Sequence, residues 1–380
     1  MRRLILFLAL ASVGLVAAAS SAQKSKLAAK VGLTTRVFHP IAPRNWRGAE
    51  KQELRCVIWY PAADTAVETR QVIGPPNAPE FEAGMAAEHA GFATATGKLP
   101  LVLLSHGSGG SAEQMAWLGT ALARAGYIAV AVDHPGNNAH EPYTREGFAL
   151  WWERATDLSQ ALDAMLADET FGPRIDPAKV VAAGYSLGGY TVLELGGAQT
   201  DINEFFDFCR SGSEASTNKT EARRSDVDTS VCRVPEKYGL GSVDDILHAV
   251  HKTSAISLAA SGDSYEDVRI KAIFAIAPAV GFTLTPETLQ NFIVPVEIVV
   301  GKADRIATPR DNADYIRSQI RGTRETVLPG VTHYTFLDTC TAEGKARLGP
   351  YCADEVDRDA IHTQVSAMAV KFFDRALHSK

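Results

Sequence analysis

Residues 180–190 read VVAAGYSLGGY, and this stretch decides the fold of the chain. Its first half is a short apolar run rich in valine, which predicts a buried strand. The run continues into Gly184-x-Ser186-x-Gly188, and the residues that follow are typical of a helix start. A serine on so sharp a turn between strand and helix exposes its hydroxyl, as a nucleophile requires. Such a turn needs neighbours without a Cβ atom, and we predict that Gly184 and Gly188 supply them.

Apolar runs on both sides of this stretch alternate with helical patterns. The first two predicted strands alternate apolar and polar residues, which predicts an antiparallel pair. Residues 62–98, rich in Pro, Gly and Ala, predict a long connection. Strands that alternate with helices predict an α/β fold, with a mostly parallel central sheet and helices on both faces. The predicted strands cover residues 31–38, 53–60, 99–104, 127–132, 270–276, 294–300 and 325–328, and the predicted helices cover 112–124, 150–167, 243–250, 311–320 and 359–377.

The first 22 residues have the pattern of a signal peptide. Arg2 and Arg3 precede an apolar run at residues 4–19, and small residues precede a predicted cleavage before Gln23. The alternative, an uncleaved membrane anchor, is disfavoured because the run is shorter than the ~20 residues of a spanning helix. We therefore expect a periplasmic or secreted protein without a stable membrane anchor, in which residues 23–380 form one domain.

Export to an oxidising compartment makes the five cysteines informative. Cys340 and Cys352 flank a short loop, and Cys209 and Cys232 flank a polar one, so each pair is a disulfide candidate. Cys56, in an apolar strand, is then the odd thiol. The alternative is that all five cysteines are unpaired. No Cys/His spacing resembles a zinc site, and we expect neither a metal nor a cofactor.

Composition narrows the possible partners. The 380 residues are 46% hydrophobic, enough to fill a sizeable core, and the net charge is −6. No run of Lys and Arg points to a nucleic acid or an anionic membrane as a partner. We expect a small-molecule substrate and no nucleic-acid partner, and composition leaves the oligomeric state open.

A long segment separates the helix after Ser186 from the next predicted strand. Its length, about seventy residues, is far more than an ordinary crossover needs. We predict that residues 201–267 form a cap over the site, with an aromatic cluster at Phe205, Phe206 and Phe208. The alternative is an insertion that lies away from the chemistry.

A serine nucleophile needs a base and an orienting acid, in the chain order Ser, Asp or Glu, His. Asp304 follows the predicted strand at 294–300, and His333 lies in the loop after the last strand. We predict His333 as the general base and Asp304 as the acid that fixes its tautomer. The competing residues precede the serine or fall within or beyond predicted helices: Asp133, Asp311, Asp314, His362 and His378.

The oxyanion that develops during acyl transfer needs preorganised N–H donors. We predict the Leu187 N–H, directly after the nucleophile, and the Ser108 N–H, in the glycine-rich loop at residues 105–110. Glycines in that loop let the backbone approach a substrate. The alternatives are a plain glycine-rich turn and a phosphate loop, but no Gly-Lys-Ser/Thr follows, which disfavours the phosphate loop.

From residue 31 to the closing helix, the chain resembles the α/β-hydrolases. Within that fold it is similar to exported bacterial relatives of platelet-activating-factor acetylhydrolase, a group labelled predicted dienelactone hydrolases, and to cutinase-like polyester hydrolases. The resemblance implies a Ser186–His333–Asp304 triad. It also implies an oxyanion hole at Ser108 and Leu187. Besides the neighbourhoods of the triad, the matching pieces are VIWYP (57–61), LSHGSG (104–109), VAVDHPG (130–136) and APA (277–279).

Two positions depart from these relatives. Dienelactone hydrolases proper use a cysteine nucleophile where this chain has Ser186, and the acetylhydrolases usually carry a histidine where it has Tyr185. We therefore predict an exported serine esterase that cleaves carboxylic esters of short acyl chains through an acyl-enzyme intermediate. Peptidase, acyltransferase or polyester hydrolase activity on the same triad is the alternative. A non-catalytic binding protein of this fold is a further alternative, which predicts the loss of a triad member.

Overall fold

The computed structural model describes residues 29–94, 97–211, 231–232, 236 and 238–378. The predicted signal peptide and the polar stretch at 212–230 lie outside the described residues. Within them, the chain forms an 11-stranded sheet flanked by helices. The strands are β1 (Lys30–Phe38), β2 (Leu54–Ala62), β3 (Thr69–Ile73), β4 (Phe81–Glu88), β5 (Leu99–Ser105), β6 (Ile128–Val132), β7 (Ile175–Tyr185), β8 (Ile270–Ile276), β9 (Val296–Gly301), β10 (Arg324–Leu328) and β11 (Thr339–Cys340).

Helices follow most strands of the sheet. They pack on the strands, and some also pack against each other. The α-helices are α1 (Ala116–Ala125), α2 (Arg145–Ala149), α3 (Arg154–Ala167), α4 (Leu187–Leu195), α5 (Ile202–Ser211), α6 (Val243–Thr253), α7 (Ala255–Ala259), α8 (Pro286–Gln290), α9 (Ala313–Gln319), α10 (Ala342–Arg347) and α11 (Arg358–His378). Helix α1 packs against α11, and α3 packs against α4. Short 3-10 turns lie at Ala112–Met115, Trp151–Glu153, Gly172–Arg174, Ala260–Gly262, Gly281–Thr283, Pro309–Asp311, Tyr334–Phe336 and Gly349–Cys352.

The sheet is parallel from β10 to β6 and mixed on the side of the N-terminal strands, where β1 and β4 also pair parallel. Its order is β10-β9-β8-β7-β5-β6-β2-β1-β4-β11, with β3 paired to β4. Neighbours from β10 to β6 run parallel, whereas β2 is antiparallel to both β1 and β6. Parallel strands are covered on both faces, which is why β6 (IAVAV) and β9 (VEIVVG) are buried along their whole length. The predicted fold class and the predicted β1–β2 pair are confirmed.

The carboxyl ends of β5, β7 and β8 meet at one edge of the sheet. Ser105, the last residue of β5, pairs with Gly184 on β7, and Tyr185 pairs with Ile276 at the end of β8. Loops that leave this edge therefore converge, as is usual for the ligand sites of open α/β sheets.

The prediction that residues 62–98 form a long connection is wrong. This segment contains β3 and β4, which pair antiparallel with each other, and β4 also pairs with β1 and β11. The sequence of β4, FEAGMAAE, is rich in Ala and Gly, which are depleted in strands. Pairing on both edges therefore forms β4 where local propensity does not favour a strand.

The helix boundaries follow the predicted patterns, with 3-10 turns at the starts. The predicted helix at 112–124 begins as a 3-10 turn and continues as α1, and the one at 150–167 does the same before α3. Helix α1 ends where predicted, because Gly126 has a φ of 102° that closes the helix in the left-handed region.

The structure places the sulfur atoms of both predicted cysteine pairs at bonding distance. The Sγ–Sγ distances are 2.02 Å for Cys209 and Cys232 and 1.97 Å for Cys340 and Cys352. Cys56 is buried on β2, and burial raises the pKa of its thiol. None of the helices in the described part of the chain combines the length and apolarity needed to cross a membrane.

Candidate active site

Ser186 occupies the turn between β7 and α4 with a strained backbone. Its φ of 55° and ψ of −121° lie outside the regions that residues with side chains prefer, and such strain is typical of functional turns. Hydrogen bonds hold the turn: the Ser186 N–H donates to the Ile276 carbonyl at 2.9 Å, and the Ser186 carbonyl accepts from the N–H groups of Gly189 and Ala279. Ser186 itself lines the cavity described below.

Gly184 and Gly188 make this turn possible because they lack a Cβ atom. A Cβ on Gly184 would lie 2.1 Å from the Gly188 carbonyl oxygen, and a Cβ on Gly188 would lie 1.9 Å from the Ser105 carbonyl oxygen. Both obstructing atoms belong to the backbone, which cannot move aside as a side chain can. The two glycines therefore let β5, β7 and α4 pack backbone against backbone.

Ser186, His333 and Asp304 form a continuous hydrogen-bonded chain. His333 Nε2 lies 2.9 Å from Ser186 Oγ, and His333 Nδ1 lies 2.7 Å from Asp304 Oδ2. A carboxylate can only accept, so Nδ1 carries the imidazole proton and Nε2 is free to accept the serine proton. All three residues are buried apart from the opening above the serine. The geometry has the order that a nucleophile, a base and an orienting acid require.

Backbone groups fix the acid and the base in this orientation. Asp304 Oδ1 accepts hydrogen bonds from the N–H groups of Ile306 and Ala307, at 2.9 and 2.8 Å, which leaves Oδ2 for His333. On the other side, the Tyr185 hydroxyl donates to the His333 carbonyl at 3.0 Å. Burial, and the Asp304 charge, raise the pKa of Tyr185 well above its ordinary value, so this hydroxyl stays a donor. Tyr185 thus supports His333 from the position directly before the nucleophile.

The predicted oxyanion donors lie beside the serine. Ser108, Leu187 and Ser186 line the same cavity. The loop that carries Ser108 is close to the serine, because a Cβ on Gly107 would lie 3.2 Å from the Ser186 Cβ. Neither the Ser108 N–H nor the Leu187 N–H donates a hydrogen bond to another described residue. Both N–H groups therefore remain available to an oxygen bound next to Ser186.

Sequence reasoning missed Tyr143, which holds the loop of Ser108. The Tyr143 hydroxyl lies 2.6 Å from Ser108 Oγ, and the Tyr143 ring stacks on Tyr238 at a centroid distance of 4.6 Å. Burial raises the pKa of Tyr143 to about 12, so the phenol stays protonated. Tyr143 follows no strand end and belongs to no motif, so the sequence carried no signal for this contact.

The site opens into a cavity of about 770 Å³. Aromatic rings pack against one another in its walls: Trp151 and Phe205 lie 4.7 Å apart between centroids, and Phe208 and Phe282 lie 4.5 Å apart. Such walls favour the apolar part of a small molecule, with the polar groups near Ser186 left to orient it. Further lining residues include Phe148, Ile306, Leu337, Leu348 and Tyr351.

Several residues of the predicted cap segment reach this cavity. Phe205 and Phe208, on α5, are part of its lining, as are Val231 and Tyr238. Phe206, the third member of the predicted aromatic cluster, is only partly buried and is not among the lining residues.

The competing acids and histidines do not join the hydrogen-bonded chain at Ser186. Asp133 is buried and accepts a hydrogen bond from the Ala112 N–H at 2.7 Å. His362 is buried on α11, where its Nε2 lies 3.0 Å from the Thr335 carbonyl oxygen. The remaining three are Asp311 in the cavity wall, Asp314 on α9 and His378 at the end of α11.

Among the described residues, Glu113, Asp133 and His140 bring ligand atoms within 4.8 Å of one another. The Arg55 guanidinium donates hydrogen bonds to both carboxylates of this group. Because a cation of the chain already lies among these acids, we assign no metal to them.

With this geometry in view, comparison with known proteins identifies the family. The sequence profile of the alpha/beta hydrolase family matches residues 101–343. The chain belongs to the alpha/beta hydrolase family. A solved structure of this fold, titled a ferulic acid esterase from Streptomyces cinnamoneus, superposes with a TM-score of 0.58 over 95% of this chain and 93% of its own. Its sequence identity of 18% makes this a likeness of fold alone.

Curated relatives match shorter stretches of the chain. Cutinase est1 of Thermobifida alba is 30% identical over 103 residues, which is 27% of this chain and 31% of the cutinase. Lipase 1 of Moraxella sp. (strain TA144) is 35% identical over 79 residues, 21% of this chain and 22% of the lipase. This chain thus spans less than a third of the length of the curated relatives it matches.

Proposed function

We propose that this alpha/beta hydrolase is a carboxylic ester hydrolase with Ser186 as nucleophile, His333 as general base and Asp304 as orienting acid. The observation that carries the proposal is the unbroken hydrogen-bonded chain from Asp304 through His333 to a strained, cavity-facing Ser186. The partial likeness to proteins named cutinase and lipase supports ester hydrolysis over other acyl transfers.

In the first half of the reaction, Ser186 Oγ attacks the ester carbonyl carbon while its proton passes to His333 Nε2. The carbonyl oxygen becomes an oxyanion and accepts hydrogen bonds from the N–H groups of Leu187 and Ser108. The Asp304 carboxylate stabilises the imidazolium that forms on His333. When the tetrahedral intermediate collapses, the alcohol leaves with the proton from Nε2, and the acyl group stays on Ser186.

In the second half, water replaces the alcohol. His333 takes a proton from the water as its oxygen attacks the acyl carbon, and the same two N–H groups hold the second oxyanion. Collapse returns the proton to Ser186 Oγ and releases the carboxylic acid. Because the same base serves both halves, each half begins with neutral His333 and passes through its imidazolium.

The acyl group that this site favours is short, in our proposal between acetate and hexanoate. Phe205 and Phe208 line the same cavity as Ser186, and we infer that their rings limit a chain that extends from the acyl carbon. Each added methylene contributes about 0.8 kcal/mol until the space is full. A lipase that works at an oil surface needs a broad exposed apolar patch, whereas Phe205 and Phe208 are buried.

We further propose that residues 201–267 act as a cap and that the protein is exported. The cavity-lining positions of Phe205, Phe208 and Tyr238 support the cap. Two disulfides support export, because such bonds persist in oxidising compartments.

The experiment for the function compares Ser186→Ala with the matched control Ser159→Ala, a serine on α3 outside the cavity lining. We expect Ser186→Ala to fold normally and to hydrolyse p-nitrophenyl acetate no faster than the background, and Ser159→Ala to keep the wild-type rate. A folded Ser186→Ala enzyme with wild-type turnover would contradict the proposal.

A further inference from the structure

The protein interior contains a second hydrogen-bonded Ser–His–Asp series. Its serine, histidine and aspartate follow one another in the same order, through the same histidine nitrogens, as in the series at Ser186. Ser105 Oγ lies 2.8 Å from His134 Nε2, and His134 Nδ1 lies 2.7 Å from Asp157 Oδ2. These distances match the 2.9 and 2.7 Å of the chain at Ser186. The difference is burial: Ser105, His134 and Asp157 are all 0% exposed.

The buried chain is not a second reaction centre. None of its three residues lines the cavity. The Ser105 hydroxyl is also covered on its other side, because Arg154 Nη2 lies 3.4 Å from Ser105 Oγ. Ser105 thus donates to His134 and accepts from Arg154, which leaves no approach for a substrate.

Neighbouring charged side chains determine the protonation of His134 and Asp157. Burial and the Arg154 charge lower the pKa of His134 to about 3, so His134 is neutral and its Nε2 can accept the Ser105 proton. Burial alone would raise the pKa of Asp157, but the Arg47 and Arg44 guanidiniums on it keep this pKa well below its ordinary value. Asp157 is therefore a fixed acceptor, held from the segment between β1 and β2.

The same group of residues fixes the backbone that follows Ser105. Arg154 Nη2 donates to the His106 carbonyl. The His134 N–H donates to His106 Nε2 at 3.2 Å, so the other ring nitrogen, Nδ1, carries the proton and donates to the Gly107 carbonyl at 2.7 Å. Two successive carbonyls, directly before Ser108, are thus tied to buried side chains.

The far side of the loop is held as well. The Gly110 N–H donates to the Gly107 carbonyl at 3.1 Å, and the Gly109 N–H donates to Asn137 Oδ1 at 2.8 Å. With these bonds made, Ser108 lines the cavity and its N–H has no hydrogen-bond partner among the described residues. An oxyanion donor acts only if it is held in place before the reaction.

We propose that Ser105, His134, Asp157 and Arg154 are positioning residues that hold the Ser108 loop in the geometry for oxyanion binding. This role rests on the proposed function, since it needs an oxyanion next to Ser186. The buried chain does not touch the substrate, and it acts through the His106 and Gly107 carbonyls.

The test is Ser105→Ala, which removes one hydroxyl and leaves the Ser186 chain intact. Because a small displacement of a catalytic group costs up to about a hundredfold, we expect kcat on p-nitrophenyl acetate to fall about tenfold to a hundredfold with KM unchanged. The affinity for a phenylboronic acid, which adds to Ser186 and carries a tetrahedral oxygen, should fall by the same factor. The pH dependence of kcat should stay that of the wild type, because His333 is untouched.

The matched control is Thr120→Val, which deletes a buried hydroxyl that bonds to the Ala116 carbonyl on α1, outside the cavity lining. Thr120→Val should lose stability without a change in kcat. If Ser105→Ala behaves in the same way, losing only stability, the positioning role is wrong. Loss of kcat without loss of boronic acid affinity would contradict it too.

A second variant and a measurement on the wild type decide the matter if Ser105→Ala does not fold. Arg154→Lys keeps the buried charge but cannot reach both the His106 carbonyl and Ser105, and it should show the same linked loss. In the wild-type protein, the Gly109 and Gly110 amides should exchange with deuterium as slowly as those of β5. Exchange at the rate of an exposed loop would overturn the proposal. Failure of the proposed function itself would be seen separately, in Ser186→Ala.

Discussion

Glu194 offers the sharpest test of the energetics of the helix that carries the nucleophile. It lies on α4, is fully buried, and accepts hydrogen bonds through Oε1 from the hydroxyls of Tyr190 and Thr200. Its Oε2 has no partner among the described residues. Burial, which the two hydrogen bonds only partly offset, raises the pKa of Glu194 from 4.5 to about 8. At neutral pH this carboxyl is therefore protonated in the folded protein.

The raised pKa makes stability depend on pH with a definite sign. Below the unfolded value, both states hold the proton and Glu194 adds no pH dependence. As pH rises, the unfolded chain releases the proton first, so the free energy of unfolding falls until the folded carboxyl ionises as well. The pKa rises by about 3.5, and at ~1.36 kcal/mol for each pH unit the loss reaches about 5 kcal/mol above pH 8.

Glu194→Gln removes this titration while Oε1 keeps both hydrogen bonds. We expect the variant to equal the wild type in urea unfolding near about pH 3.5 and to be more stable by up to about 5 kcal/mol near pH 9. The control is Glu355→Gln, at an exposed glutamate, which should leave the free energy of unfolding close to that of the wild type. A difference between Glu194→Gln and wild type that is the same at both pH values would refute the reasoning.

Three further predictions concern the site and the thiols. Asp304→Asn should lower kcat on p-nitrophenyl acetate by about 10⁴-fold, because an amide favours the wrong tautomer of His333; a drop below tenfold would contradict the assigned acid. Among p-nitrophenyl esters, kcat/KM should peak between acetate and hexanoate, and a maximum at dodecanoate or a jump on emulsified triolein would show a lipase instead. Non-reducing peptide mapping of the exported protein should leave only Cys56 free for alkylation; the bond that closes the shorter loop contributes about 3 kcal/mol, and three or more free thiols would contradict the pairing.

The elements that the sequence predicted are those with strong periodicity. Strand β6 and strand β9 are continuous apolar runs, and α1 ends at a glycine, so each had a local physical signal. Strand β4 had none, because its Ala and Gly residues favour no strand, and it forms through pairing with β1, β3 and β11. Pairing between residues that lie far apart in the chain gives no signal within a short stretch of the sequence.

The residues of the candidate site divide in the same way. Ser186, Asp304 and His333 each follow a strand. Because the sheet brings the strand ends together, the positions of these residues along the chain were enough to predict the hydrogen bonds that join them. Tyr143 follows no strand and belongs to no motif. Its contact with Ser108 depends on tertiary packing alone.

The hydrogen bonds that join Ser105, His134 and Asp157 could not be predicted from the sequence, for a related reason. Ser105 and His134 both stand at strand ends, but Asp157 lies inside α3, where an acidic residue is ordinarily solvated. Only the placement of Arg44 and Arg47 over that helix makes it a buried acceptor.

The most direct test of the central claim is to label the wild-type enzyme with a fluorophosphonate and map the adduct by mass spectrometry. The probe needs a nucleophilic serine, a neutral histidine base and an oxyanion hole together. We predict a single adduct, on Ser186, whose growth matches the loss of esterase activity. An adduct on another residue, or full activity after complete labelling of Ser186, would contradict the account.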